Sequence, residues 1–230
     1  VESAGRCSFI NRKGQQISGL IYDRAVVFKE GRAAVKSDNR WGIIDTEGRQ
    51  ITGCIYDLAG LFIDGLCPVQ LDGKWGYIDK NGKQTVECRY DHLGRFCDGL
   101  SPVKLDGEWG YIDNKGNTVI APTYDKANVF NNGQAFVRID GKWRSIDTKG
   151  RPQTDRIYDD IMPFGKKLTR VRLNGKWGIV NHKGKLVVDC IYDRILKPDR
   201  NGVAKAILNG TIGHIDTHGK WINMENPKAE

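Results

Sequence analysis

Three groups of residues carry the chemistry a site would need: six cysteines, four histidines and a recurring set of aspartates. His214 and His218 are four apart, a spacing that suits a metal when both imidazoles share one helix face. Here they straddle a turn between strand-like segments, and no third ligand accompanies them. A structural or surface role is expected for these two and for His92 and His182. Cys7, Cys54, Cys67, Cys88, Cys97 and Cys190 include no C-x-x-C pair and no pair with a histidine close by, so no zinc site is expected. An even cysteine count in a secreted chain suggests disulfides. Cys54, Cys88 and Cys190, however, recur at one position of a repeat, which reads as a column of small buried thiols. Whether stacked Cys54 and Cys88 bridge is a matter of geometry. Turns such as Asp79-Lys80-Asn81-Gly82 lack the alternating carboxylates and distal Glu of a calcium loop. Nucleophile-elbow, Walker and dinucleotide motifs are absent from the sequence. A periodic Asp is a turn former before it is an acid or base. The chain therefore reads as non-enzymatic, with no catalytic residue, no cofactor and no metal.

The elements that would position a site are set by a repeat. Trp41, Trp75, Trp109, Trp143 and Trp177 lie 34 residues apart. A fixed period in the range of roughly 20–50 residues marks tandem units that pack on their neighbours. Cys7 and Ile212 occupy the same place in the first and last copies, so the end copies are atypical, as caps are. Gly14, Gly48, Gly82, Gly116, Gly150, Gly184 and Gly219 keep the beat, as do six Tyr-Asp pairs from Tyr22-Asp23 to Tyr192-Asp193. Phe28, Phe62, Phe96, Phe130 and Phe164 follow, with Pro198 in the last full copy. The register slips by one residue between Tyr192 and Ile212.

One unit is read from the copy around Trp109. Leu100–Leu105 forms a strand, and Asp106-Gly107 is a two-residue hairpin turn with positive φ at both residues. Trp109–Asp113 returns. Asp113-Asn114-Lys115-Gly116 is a second turn, in which the Asp side chain bonds amides ahead of it and Gly takes positive φ. Asn117–Ile120 is a third strand. The expectation is an all-β chain of about three short antiparallel strands per copy, forming an open β-solenoid, with a six- or seven-bladed propeller as the alternative. Both strand faces carry apolar bulk, so aromatic residues of successive copies should stack into the core. One array over 1–224 is expected, made of six full units and an N-terminal partial one, with a tail at 225–230.

The runs Asp72-Gly73-Lys74-Trp75-Gly76-Tyr77-Ile78-Asp79, Asn81-Gly82-Lys83 and Tyr90-Asp91 resemble the bacterial WG-repeat (KWG-repeat) family, from about Cys7 to Trp221. The resemblance implies a β-rich tandem-repeat binding module with no shared catalytic motif. By analogy with other repeat proteins it also suggests an immunity protein against a secreted toxin. Arg144 departs from the pattern, standing where the family has Gly after Trp143.

The formal charge is +8 and uneven. Residues 50–114 hold ten acids against six Lys or Arg, whereas residues 138–205 hold seventeen Lys or Arg against eight acids. Several of the basic residues replace neutral or apolar consensus residues. Arg138, Arg144, Arg156, Lys166, Lys167, Arg170 and Arg172 are therefore the candidate partner-binding residues, weighed against a merely solvated basic face. The expected partner is another protein with an acidic surface, steered by that field. Nucleic acid is disfavoured because the aromatics keep to repeat positions. A cell-wall or glycan module is the alternative, and it requires Trp or Tyr exposed between copies. No apolar run reaches the roughly 18 residues of a membrane span. A periplasmic or secreted location is expected if a signal peptide was removed, and a cytoplasmic one otherwise.

Overall fold

The computed structural model describes residues 2–3, 6–10, 13–17, 22–165, 168–218 and 220–224. Lys166, Lys167, Gly219 and the tail at 225–230 lie outside the described residues. All regular structure among the described residues is β.

The repeat becomes a series of small antiparallel sheets, each named here by its tryptophan. The Trp41 sheet runs Arg24–Ala25, Arg32–Ser37, Arg40–Asp45 and Gln50–Tyr56, in that order. The Trp75 sheet repeats it with Leu58–Ala59, Leu66–Leu71, Lys74–Asp79 and Gln84–Tyr90. The Trp109 sheet uses His92–Leu93, Leu100–Leu105, Glu108–Asp113 and Thr118–Tyr124. The Trp177 sheet uses Asp160–Phe164, Leu168–Leu173, Lys176–Asn181 and Leu186–Tyr192. The last sheet uses Arg194–Ile195, Ala204–Leu208, Thr211–Ile215 and Trp221–Met224. Four strands per sheet correct the expected three. The added strand is usually the two residues after Tyr-Asp, too short to show any period in the sequence. Consequently, strand number no longer speaks for a solenoid over a propeller blade.

Both expected turns form. Asp72-Gly73, Asp106-Gly107 and Asp140-Gly141 have positive φ throughout, so the side of the hairpin fixed by the mirror-image turn is as read. In the second turn, Asp79 Oδ1 accepts from the Asn81 and Lys83 amides at 2.8 and 2.9 Å. The register slip falls in the loop Asp199–Val203, where Asp199 caps a longer turn by accepting from the Asn201 and Val203 amides. Other copies close that loop with a two-residue turn such as Asp64-Gly65.

The chain divides into two compact units: Val1–Gly94 with Val103–Gly107 and Ile112–Thr118, and Arg95–Pro102 with Glu108–Tyr111 and Val119–Glu230. Within the first, Ala34, Ile43 and Tyr56 of the Trp41 sheet pack on Phe62, Cys67, Val69 and Ile78 of the next copy. Within the second, Phe164, Ile179 and Tyr192 meet Ile195, Ala204, Ala206 and Ile215 in the same way. The core of each unit therefore lies between successive sheets, as both-faced apolar strands require. Trp41, Trp75, Trp109, Trp143 and Trp177 edge these cores half-buried. All six cysteines are free thiols. Burial raises the pKa of Cys54, Cys88 and Cys190, and pushes the Cys67 thiol up to about 12.

A second periodic device ties successive copies together. Asp23 accepts from the Asp38 amide, and from Asp57 to Asp193 each Tyr-Asp carboxylate accepts from the hairpin Gly amide of the following sheet, as Asp57 does from Gly73 at 3.0 Å. The same carboxylate pairs with a cation seventeen residues earlier: Arg40 with Asp57, Lys74 with Asp91, Lys142 with Asp159 and Lys176 with Asp193. Asp125 keeps its bond to Gly141, but Glu108 stands at the cation position.

Candidate binding cleft

The Gly after each Trp sits under the fourth strand of its own sheet. A Cβ on Gly110 would stand 2.5 Å from Ile120 O, and one on Gly178 would stand 2.6 Å from Val188 O. Only hydrogen fits there. In the first unit the same is true of Gly42, whose Cβ would be 2.9 Å from Gly53 O. The Gly also touches the residue twelve positions on, with 2.8 Å from a Gly178 Cβ to Cys190 Sγ and 3.0 Å from a Gly42 Cβ to Cys54 Sγ.

In the Trp143 sheet both partners of that contact are arginine. Arg144 replaces the Gly and Arg156 replaces the Cys. The fourth strand does not form, and the sheet keeps only Lys126–Ala127, Gln134–Ile139 and Lys142–Asp147. The segment after it has the usual length, and its ends stay pinned. Ile146 bridges Pro152, and Trp143 exchanges bonds of 2.8 and 2.9 Å with Tyr158. The Gln153 amide also donates to Ser145 O at 3.0 Å, so the ladder is interrupted only over Thr154–Ile157, beside Arg144, whose Cβ takes space that only hydrogen fills in the regular copies.

A cleft of about 660 Å³ lies between Gln153–Arg156 and the Lys183-Gly184-Lys185 turn of the Trp177 sheet, with Leu186 and Asp189 completing the wall. The equivalent groove in the first unit, around Thr85, Glu87 and Lys115, holds about 400 Å³. Arg156, Lys183 and Lys185 line the larger cleft together with Asp155 and Asp189. None of the five is paired with an opposite charge among the described ion pairs. The bordering turn is also altered. Asn181 caps it through the Lys183 and Lys185 amides, where Asp45, Asp79, Asp113, Asp147 and Asp216 cap theirs (the first copy has Asn11 in sequence). Behind Gly184, Ser145 is fully buried and its Oγ has no hydrogen-bond partner among the described residues. A Cβ on Gly184 would lie 3.1 Å from that oxygen. Ser145 stands where the flanking copies have Tyr111 and Ile179; Tyr111 donates its hydroxyl to Asn128 O at 2.6 Å.

The candidate arginines fall into two sets. Arg144 stands beside the cleft and Arg156 lines it. Arg144 sits near enough to Tyr124 to oppose the rise that burial causes in its pKa, and Arg156 does the same at Cys190 and Tyr158. Arg138, Arg170 and Arg172 lie on second strands and are half-buried. Arg170 donates to Ile195 O at 2.5 Å, and burial lowers its pKa. Arg172 stacks 5.6 Å from the Trp177 ring centre and lies 3.8 Å from Asp160. Arg138 faces Lys126 on one side and Trp143 on the other. Lys166 and Lys167 are outside the described residues. The sequence reading missed Lys183 and Lys185, because they look like ordinary turn residues. Their signal was Asn181, a cap that had lost its charge.

A family model described as the WG containing repeat matches residues 8–41, 41–75, 75–109, 109–143, 146–177 and 177–211. The chain belongs to the WG-repeat family. Successive WG repeats meet tryptophan to tryptophan, and the one gap falls on Arg144 and Ser145, the two residues that open the Trp143 sheet. No curated protein matches the sequence. Among solved structures, one titled as the eukaryotic initiation factor matches 86% of this chain and 63% of its own, at 10% identity and TM-score 0.51. This WG-repeat chain thus spans less than two thirds of that structure, and the likeness is one of fold alone. Hsv2 of Kluyvelomyces marxianus matches at 9% identity and TM-score 0.45, covering 87% of this chain and 76% of its own. Apo AztD from Citrobacter koseri matches at 13% and 0.43, covering 88% and 71%. Among the described residues no helix is long and apolar enough to cross a membrane.

Proposed function

We propose that this WG-repeat chain is a non-catalytic binding protein that engages another protein through an acidic surface. The observation that carries the reading is the cleft at Arg144. The fourth strand is interrupted there, and the cleft is lined by Arg156, Lys183 and Lys185, none of which has an ion-pair partner among the described residues. Elsewhere the repeat spends its cations on inter-copy clamps to aspartate. Four antiparallel strands per sheet support a blade-like unit over the three-strand coil of an open solenoid.

The sharper form of this reading is an immunity role, with an incoming bacterial toxin as partner and the periplasm as the setting. The glycan alternative draws on the half-buried tryptophans. Calorimetry with three probes separates these readings: a capped polyglutamate peptide, soluble cell-wall muropeptides and a single-stranded oligonucleotide. Heat is expected with the peptide, weakening as salt rises. Heat with the muropeptides and none with the peptide would replace this reading with the glycan one. For the immunity form, the product of the neighbouring gene should bind, and co-expression should relieve its toxicity.

A further inference from the structure

We infer that the cleft of the Trp143 sheet is the anchoring site, and that it takes a carboxylate-bearing peptide segment of the partner, gripped by Arg156, Lys183 and Lys185. The inference rests on the acidic-partner reading and adds where, and by which groups, the partner is held.

Four departures from the repeat converge on this one place. Arg144 for Gly stands where the fourth strand is interrupted, beside the larger of the two equivalent grooves. Arg156 for Cys brings a guanidinium to its edge, a planar fork suited to a carboxylate. Asn181 for Asp removes the carboxylate that would repel an incoming acid, while still capping the turn through the same two amides. Ser145, where the flanking copies have Tyr111 and Ile179, leaves a fully buried hydroxyl with no hydrogen-bond partner among the described residues, beside Gly184, a cleft-lining residue. Drift on a solvated face would scatter such changes over the copies.

The lining also selects the ligand. The walls hold cations, Thr154, Gln153 and two aspartates, and no aromatic side chain. A sugar lacks the stacking surface it needs, and a stretch of nucleic acid lacks a platform for its bases. Asp155 and Asp189 leave a net charge of only +1 on the lining, which disfavours a polyphosphate. They also offer sites for the amides or a cationic side chain of a peptide. The volume of about 660 Å³ is in the range that holds a short extended segment.

The test is fluorescence anisotropy of a fluorescein-labelled hexaglutamate peptide titrated with the full chain. The Lys183→Glu/Lys185→Glu variant is expected to weaken binding by at least about tenfold, a step of the size lost with charge-assisted contacts. The Lys197→Glu/Arg200→Glu variant removes the same charge outside the cleft, and is expected to change binding by less than about threefold. Arg144→Gly/Arg156→Cys restores the regular pair, narrows the cleft toward the roughly 400 Å³ of a regular copy, removes the guanidinium and should weaken the signal by at least about tenfold while raising the melting temperature. Equal losses in the two Lys/Arg reversal variants would overturn the cleft assignment and leave the acidic-partner reading standing. No binding by the unaltered chain would overturn both. A phosphoserine hexapeptide that displaces the probe at lower concentration than unlabelled hexaglutamate would overturn the carboxylate class. If the double reversal lowers the melting temperature sharply, Arg156→Gln, an exposed and smaller change, is read in its place under the same criteria.

Discussion

Gly178 lies so close to Cys190 that a Cβ added to it would stand 2.8 Å from the Cys190 sulfur. In the preceding copy the same two positions are Arg144 and Arg156. Two side chains cannot fill a space that admits one hydrogen and one thiol. The fourth strand yields, and a basic cleft of about 660 Å³ appears where a regular copy holds about 400 Å³. The two arginines thus share one structural cause, although twelve residues separate them.

The regular copies should fail if the same contact is filled without compensation. A Cβ on Gly76 would run into the Val86 carbonyl and stand 2.8 Å from the Cys88 amide, both of them backbone. Gly76→Ala is expected to destabilise the chain by about 1–3 kcal/mol, the usual cost of overpacking. Urea denaturation measures it, and an unchanged midpoint would show that the fourth strand has room to move.

Glu108 marks the one inter-copy clamp whose cation position holds an acid. It occupies the position from which Lys74 reaches Asp91 at 2.5 Å and Lys142 reaches Asp159 at 2.6 Å. Glu108→Lys is expected to restore the pair with Asp125 and stabilise the chain by about 0.5–1 kcal/mol, within the range of exposed ion pairs. Thermal unfolding at low and high salt checks this. A gain that survives high salt would point to something other than the pair.

The clamps also set a pH dependence. Lysine partners hold the carboxyls of Asp91, Asp159 and Asp193 below their usual value, Arg49 does so for Asp45, and Lys80 does so for Glu30. A carboxyl whose folded pKa is depressed contributes stability above its unfolded pKa, and that contribution is lost as pH falls through the folded value. Stability from these groups should therefore be fully present above about pH 5 and fall progressively below about pH 4, where unfolded carboxyls begin to protonate. Urea midpoints measured from pH 7 to pH 3 test this. A midpoint that rises on acidification would contradict the clamps.

The repeat made much of the fold legible. The Trp beat placed every sheet, Asp72-Gly73 and its equivalents announced their turns, and Asp79 announced its cap. Two features were hidden for physical reasons. His92–Leu93 and similar strands are two residues long, so no periodicity can show in them. The cleft depends on a contact between Gly178 and Cys190 that the linear sequence does not show, so Arg144 and Arg156 looked like separate additions to a charged face. Arg170 and Arg172 looked like the same kind of signal. The structure gives them internal partners, Ile195 O and Trp177. Reversing their charge would thus disturb the fold as well as any partner.

The most direct test of this account is amide hydrogen exchange at Thr154, Asp155 and Ile157 in the unaltered chain and in Arg144→Gly. The account predicts fast exchange at these amides in the unaltered chain, beside slow exchange at Val188 in the regular fourth strand of the Trp177 sheet. Restoring Gly should bring protection comparable to Val188. Protection already present in the unaltered chain, or absent after Gly is restored, would contradict the claim that Arg144 opens the cleft.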